Sequence, residues 1–316
     1  MIKVSIVVPC YNEEKNIFPF FELCKSTLDP NYEYEYIFVN DGSKDNTFLN
    51  IKELIKNNSD DNIIGINFSR NFGKESAILA GIKNSTGDLI SLIDADLQQH
   101  PKYINQMVEY LSLNEDTDIV ACYQDRRKEG KILTAFKSMF YNIINKMSST
   151  KFEKNASDFR TFRRQVAESL MDLDEYHRFS KGLFAWVGYE AHFMPYEVEE
   201  RLHGKTSWSF SSLTKYAIEG FVGFSTVPLR IATILGIFTS IASLIYMIST
   251  IIKKLVIGID VAGYATIVTL ILLLSGIQLI SMGIIGEYLA RTYMETKNRP
   301  HYIIKNKIET DRKKID

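Results

Sequence analysis

The chain is 316 residues long and has only three cysteines, Cys10, Cys24 and Cys122. Three thiols cannot build a paired framework and their spacing suits no metal, so they are read as packing residues in a reducing compartment. Charge of one sign is also lacking: 37 basic against 38 acidic residues leave a net charge of -1. Without a basic patch in its first 225 residues, the chain is not expected to bind nucleic acid. The five histidines are scattered without ligand spacing. The N-terminus, Met1 to Tyr11, has an apolar run too short for a secretory core and leads into Glu13 and Glu14, so the first domain is expected to stay in the cytoplasm.

Apolar sequence is abundant late in the chain. Stretches 228–252, with Arg230 as the only charge, and 262–286, with none, are each long enough to cross a bilayer, and two transmembrane helices are expected. A buried hairpin of core helices is the competing reading, but soluble helices seldom lack a polar face for so long. Arg291, Lys297, Arg299, Lys305 and Lys307 follow the second stretch, while Lys253 and Lys254 lie between the two, so the charge bias supports orientation only in part. The expected layout is a cytoplasmic domain at 1–210, an interfacial helix at 211–227, the helix pair, and a cytoplasmic tail at 287–316.

Upstream, the β-branched run 3–9 leads through a polar loop into an amphipathic stretch at 17–28. The same order recurs at 34–39 with 47–55 and at 63–68 with 75–83, and a fourth apolar run, 89–93, enters Asp94. Repeated strand-then-helix units predict an α/β domain whose mostly parallel sheet has helices on both faces and binds its ligand at the strands' C-terminal ends.

Four polar motifs fall at those ends: Pro9-Cys10-Tyr11-Asn12-Glu13-Glu14, Asp41-Gly42-Ser43-Lys44-Asp45, Phe68 through Lys74, and Asp94-Ala95-Asp96-Leu97-Gln98. Asp94 and Asp96 are close enough to repel unless a cation lies between them. A hard ion, Mg²⁺ or Mn²⁺, suits these oxygens and that of Gln98; a turn-capping Asp beside a solvated one is the alternative. Asp41 is placed to accept hydrogen bonds from a base or ribose, or to form an ordinary Asp-Gly turn.

Together these motifs resemble the family 2 glycosyltransferases, and in particular the polyprenyl-phosphate glycosyltransferases. Ser157-Asp158-Phe159-Arg160, Arg178-Phe179, Gly182, Trp186 to Tyr189, Arg201 and Gly204 to Trp208 add to the likeness, as do the paired apolar stretches. The resemblance implies a Rossmann-like glycosyltransferase-A domain and inverting transfer of a hexose, with glucose foremost, from a UDP-sugar to polyprenyl phosphate. It implies that Pro9, Tyr11, Glu13 and Asp41 hold the uridine end and that Asp94 and Asp96, with Gln98, place a metal on the diphosphate; Lys74 and Ala95 are counted with them as donor-binding residues. Asp158 matches the acceptor-side position where a base would be drawn; pairing with Arg160 to fix a loop is the alternative.

An anionic acceptor requires cations, and Arg126, Arg127, Lys137, Arg160, Arg201 and Lys205 are the supply, with Arg201 foremost. A stripe of Phe136, Met139, Phe140, Ile143, Ile144 and Met147 suits either a helix on the bilayer surface or one packed on the sheet. Gly276, Gly283 and Gly286 would let membrane helices approach in a homo-oligomer, and segment 299–304 is placed to add a strand, within or between subunits. Two other functions stay open: a membrane polysaccharide synthase, and a non-catalytic nucleotide-sugar-binding protein.

Overall fold

A computed structural model describes residues 1–124, 156–199, 227–257 and 263–310. The first strand, β1 (Lys3–Cys10), shows why a layered sheet forms: Val4, Ile6, Val8 and Cys10 bury into one core cluster while Val7 buries into another. A strand buried on both faces needs helices on both sides. On the first side lie α1 (Ile17–Thr27), α2 (Thr47–Asn57) and α4 (Lys102–Leu113), through residues such as Phe20, Phe21, Ile51 and Met107. On the second lie α3 (Lys74–Lys83), α5 (Arg164–Asp172) and α6 (Ser180–Trp186), through Ile78, Val166, Leu170 and Phe184.

Parallel strands β2 (Glu33–Asn40), β3 (Asn62–Phe68) and β4 (Leu89–Leu92) join β1 to form the sheet centre. The other strands are β5 (Ile119–Gln124), β6 (Ala156–Arg163), β7 (Ala191–Tyr196) and β8 (Ile304–Glu309), and the order across the sheet is β7-β5-β6-β4-β1-β2-β3-β8. β6 runs antiparallel between β4 and β5, while β7 is parallel to β5. The expected α/β domain with a mostly parallel sheet is present. All three cysteines are free and buried, as packing residues should be.

Two long helices follow, α7 (Val227–Ile257) and α8 (Tyr264–Thr296), and they pack on each other. Both overrun the expected C-terminal boundaries, and Lys253 and Lys254 lie inside α7 rather than in a connecting loop. Among the described residues one stretch, Leu273–Thr296, is long and apolar enough to cross a membrane, and Ile231–Tyr246 is apolar but shorter. Ile234, Phe238, Leu279 and Met282 are each more than 60% exposed, far more apolar surface than a chain in water leaves bare.

The segment at 299–304, placed by its sequence to add a strand, leads into the last one. β8 pairs antiparallel with β3 in the same chain, closing that sheet edge, and the Ser69 N–H donates to the Ile303 carbonyl at 3.0 Å. Tyr302 stacks on Phe68 with ring centroids 4.9 Å apart.

At the strands' N-terminal ends, opposite the motif loops, Glu35 is 2% exposed and ionised. It accepts from Ser5 Oγ at 2.6 Å, Thr86 N at 2.9 Å, Thr86 Oγ1 at 2.8 Å and Lys3 Nζ at 3.2 Å. Burial alone would raise its pKa, but the Ser5 and Thr86 hydrogen bonds and the Lys3 ammonium outweigh burial and hold it below the ordinary value. Glu35→Gln places an amide against these donors and should cost roughly 2–4 kcal/mol, read as a lower melting temperature of the full chain in detergent at neutral pH. A lowered folded pKa gives stability that is fully present above the ordinary 4.5 and lost as pH falls through the folded value. The gap between variant and wild type should therefore close in acid; a gap that stays constant would exclude this role for the ionised carboxylate.

Candidate functional site

The C-terminal ends of β1, β2, β3 and β4 open onto one rim, and their loops are tied to one another. After β1, Asn12 N donates to Ser43 Oγ at 2.9 Å, Glu13 N to Thr47 Oγ1 at 2.8 Å and Glu14 N to Asp45 Oδ2 at 3.2 Å, so the first loop rests on the second. The Glu13 carboxylate accepts from Asn16 Nδ2 at 2.6 Å, and Tyr11 is 43% exposed at the rim. After β2, buried Asp41 accepts from Phe72 N at 2.6 Å and Gly73 N at 2.9 Å. Burial raises the Asp41 pKa, against the pull of those two N–H groups and Arg70. Gly42 has φ +62°, and a Cβ there would meet the Arg70 carbonyl carbon at 2.3 Å, so two loop backbones touch where only glycine fits.

This clamp fixes the start of α3, whose first residue is Lys74. Gly81 presses α3 onto the sheet, because a Cβ there would lie 2.1 Å from Val7 Cγ1. Lys74 Nζ reaches Asp94 Oδ1 at 2.6 Å and Asp158 Oδ2 at 3.2 Å. The two aspartates come together through strand register: β4 pairs antiparallel with β6, Leu92 opposite Arg160, and the same register carried two residues onward sets position 94 opposite 158. Burial would raise the Asp158 pKa, but Lys74, Lys181 and Arg160 hold it far below the usual carboxylate range. Burial would lower that of Lys74, and Asp94 and Asp158 instead raise it. Both groups are charged at neutral pH.

Asp94 has a second brace that the sequence reading missed. Gln99, 6% exposed, accepts from the Asp94 N–H through Oε1 at 3.0 Å and donates from Nε2 to Asp94 Oδ2 at 3.3 Å. Gln98 donates its backbone N–H to Asp96 Oδ1 at 3.2 Å and accepts from Glu199 N at 3.1 Å through its carbonyl. Leu97 sits between them with φ 61°, and Ala95 is buried. Pro9, Lys74, Ile78, Asp94, Gln99 and Asp158 line one small pocket.

Among the described residues, no group of three or more carboxylate, histidine or cysteine side chains is placed to hold a metal. Two carboxylates at a strand end nevertheless fit Mg²⁺ or Mn²⁺, which are commonly bound by one or two carboxylates, with phosphate and water oxygens completing the shell. A site built to hold zinc or calcium alone would need more protein ligands.

One expectation needs correction. Arg160, offered as an acceptor-phosphate ligand, is 4% exposed; it donates to the Ser157 carbonyl at 2.7 Å and lies 4.1 Å from the Phe184 ring centre, so it supports β6 from within. Asp158 pairs directly with Lys74, a cation at the start of α3 and distant in sequence. Glu75, beside Lys74, was also overlooked; it accepts from the Ser180 N–H at 3.0 Å and from the Ser180 hydroxyl, anchoring α3 to α6. No sequence signal marked that bond, because its partners are 105 residues apart. Arg126, Arg127, Lys137, Arg201 and Lys205, and the stripe at 136–147, lie outside the described residues.

The family model described as Glycosyl transferase family 2 matches residues 5–171, and that described as GtrB C-terminal hairpin matches 227–292. The putative glycosyltransferase CsbB of Bacillus subtilis (strain 168) is 44% identical, covering 96% of this chain and 91% of that protein. The bactoprenol glucosyl transferase of Shigella phage SfX is 39% identical over 97% of this chain and all of its own length. A prophage bactoprenol glucosyl transferase homolog of Escherichia coli (strain K12) is 39% identical, covering 96% of this chain and 99% of that protein. With a strand-end aspartate pair in its α/β domain and a matched helical hairpin behind it, the chain belongs to the family 2 glycosyltransferases.

Proposed function

We propose that this enzyme transfers a hexose, with glucose foremost, from a UDP-sugar to polyprenyl phosphate at the cytoplasmic face of a membrane, with inversion at the anomeric carbon. One observation carries the reading: the likeness to the bactoprenol glucosyl transferase runs through both the rim-bearing domain and the apolar hairpin. Pro9, Tyr11, Glu13 and Asp41 hold the uridine end; for Asp41 this is a second task beside its clamp on the Phe72–Gly73 backbone. Lys74, Asp94, Ala95 and Asp96 receive the diphosphate. Asp94, Asp96 and Gln98 hold Mg²⁺ or Mn²⁺, which when bound neutralises charge growing on the departing diphosphate.

The acceptor is a phosphate monoester with a second pKa near 6, so its nucleophilic oxygen is already an anion at neutral pH. A bond forms from that oxygen to the anomeric carbon as the bond to the diphosphate oxygen breaks on the opposite face. No proton has to move. Asp158, kept ionised beside Lys74, then stabilises positive charge developing on the sugar instead of acting as a base. Arg201, with Arg126, Arg127, Lys137 and Lys205, supplies the cations that receive the acceptor phosphate.

The hairpin is proposed to cross the membrane twice. β1 and β8 belong to one sheet on either side of α7 and α8 in sequence, which supports an even number of crossings. α7, at 31 residues, exceeds the roughly 20 needed to span the hydrocarbon core.

Purified enzyme given polyprenyl phosphate, Mg²⁺ or Mn²⁺ and a panel of UDP-glucose, UDP-N-acetylglucosamine and GDP-mannose should label lipid best from UDP-glucose. Mass spectrometry of the product identifies the sugar, and absence of lipid product with every donor refutes the acceptor. Asp96→Asn should reduce turnover by roughly a hundredfold or more, the scale of several kcal/mol of lost charge stabilisation. Its melting temperature should stay close to wild type; a large fall would instead make Asp96 a structural residue.

A further inference from the structure

Lys74 stands where two cations are wanted. Its ammonium lies 2.6 and 2.9 Å from the two Asp94 oxygens and 3.2 Å from Asp158, while Asp94 is half of the pair proposed for the metal. A divalent ion bound to Asp94 and the ammonium in its present place would be close like charges drawing on the same oxygens. The backbone around Lys74 cannot relieve this, because the Asp41 clamp, Gly42 and Gly81 fix both the loop and α3. The lysine stem can, because it is flexible and 43% exposed, and Asp158 offers the ammonium a second carboxylate without any backbone movement.

We propose that Lys74 is a built-in counter-cation that competes with the divalent ion for Asp94, and that Asp158 is the alternative seat that draws it aside when the ion binds. Beside its place at the diphosphate, Lys74 is thus a positioning residue acting through two aspartates: it pairs with both before loading and leans on Asp158, whose carboxylate stays ionised, after it. The inference rests on the reading of Asp94 and Asp96 as metal ligands. It adds that metal loading sets the charge beside the acceptor side of the site, so the two halves of the site are coupled.

Mn²⁺ binding to the full chain in detergent, followed by the electron paramagnetic resonance signal of the free ion without donor or acceptor, tests this apart from turnover. Lys74→Met should tighten Mn²⁺ about tenfold, the effect of removing about 1.4 kcal/mol of competition. Lys74→Arg, which keeps the charge, should stay near wild type. Asp158→Asn should weaken Mn²⁺ several-fold in the wild type, because the ammonium stays on Asp94, and should do little in the Lys74→Met background. Lys74→Gln replaces the Met variant if melting curves show that the latter does not fold. Unchanged or weaker Mn²⁺ binding in the neutral variants overturns the inference, as does an Asp158→Asn effect of equal size in both backgrounds, which would mean that Asp158 acts on the ion directly. Asp96→Asn distinguishes the two failures. If it abolishes Mn²⁺ binding while Lys74→Met changes nothing, the metal reading stands and this inference falls; if no variant nor the wild type binds Mn²⁺, both fall.

Discussion

Two aspartates brought level by strand register, with one lysine between them, set the terms for the rest of the domain. Asp158 lies on β6 and Asp94 two residues past the end of the neighbouring antiparallel strand β4, and two such carboxylates near each other raise one another's energy unless a cation intervenes. Lys74 intervenes at 2.6 and 3.2 Å. Its place is not left to the side chain alone: Asp41 binds the two amides just before it, Gly42 lets the loops touch, Gly81 seats its helix against Val7, and Glu75 ties that helix to Ser180. Apart from Gly81, which packs on the middle of β1, these groups lie at or near a strand's C-terminal end, where an α/β sheet gathers binding residues. The opposite end of the strands, where Glu35 gathers Ser5, Thr86 and Lys3, serves stability instead.

The clamp also shows why one side chain can serve two purposes. A carboxylate has about four lone-pair sites, and the two backbone bonds to Asp41 use only some of them. The group that orders the β3–α3 loop thus keeps acceptor capacity for a ligand, and both tasks require it ionised. Burial raises its pKa, so the N–H groups from Phe72 and Gly73 do more than hold the loop; they favour the charged form that a donor would meet.

Much of this was legible in the sequence because it is local. β-Branched and apolar runs marked β1 to β4, and Pro9, Tyr11, Glu13, Asp41, Asp94 and Asp96 each lie at or shortly after the end of such a run. What escaped depends on pairings across long stretches of chain. The Lys74–Asp158 contact exists only because β6 returns antiparallel beside β4, and the Glu75–Ser180 bond joins residues with no shared pattern. Gln99 was missed in favour of Gln98 for another reason. Loop 94–100 has no periodicity, and Leu97 at φ 61° turns the chain so that neighbouring glutamines take different surroundings, which composition does not encode. The helix ends were misplaced because hydropathy marks the part of a helix suited to lipid, not where its backbone hydrogen bonding stops, and Lys253 and Lys254 extend α7 with polar residues.

The length of α8 bears on how a lipid-borne phosphate meets this rim. Thirty-three residues at about 1.5 Å each give a helix of about 50 Å, against a hydrocarbon core of about 30 Å. On the proposed reading, roughly 20 Å of helix stands clear of the core, enough to pass through the headgroups. Its last turn does not hang free. Glu295 accepts the Tyr176 N–H at 3.0 Å, His301 pairs with Asp174 at 2.8 Å, and Ser76 Oγ, on the helix that begins with Lys74, donates to the His301 carbonyl at 3.1 Å. From there β8 zips onto β3 beside the same loop. The helix end is therefore bonded to the elements that carry Lys74 and Glu75, and on the same proposed reading this sets the rim's height above the bilayer. A polyprenyl phosphate cannot leave the membrane to reach a distant site, so the proposed reaction requires the rim at headgroup level, and the bonds from Glu295 and His301, continued by β8 on β3, are the part of the chain suited to meet that requirement.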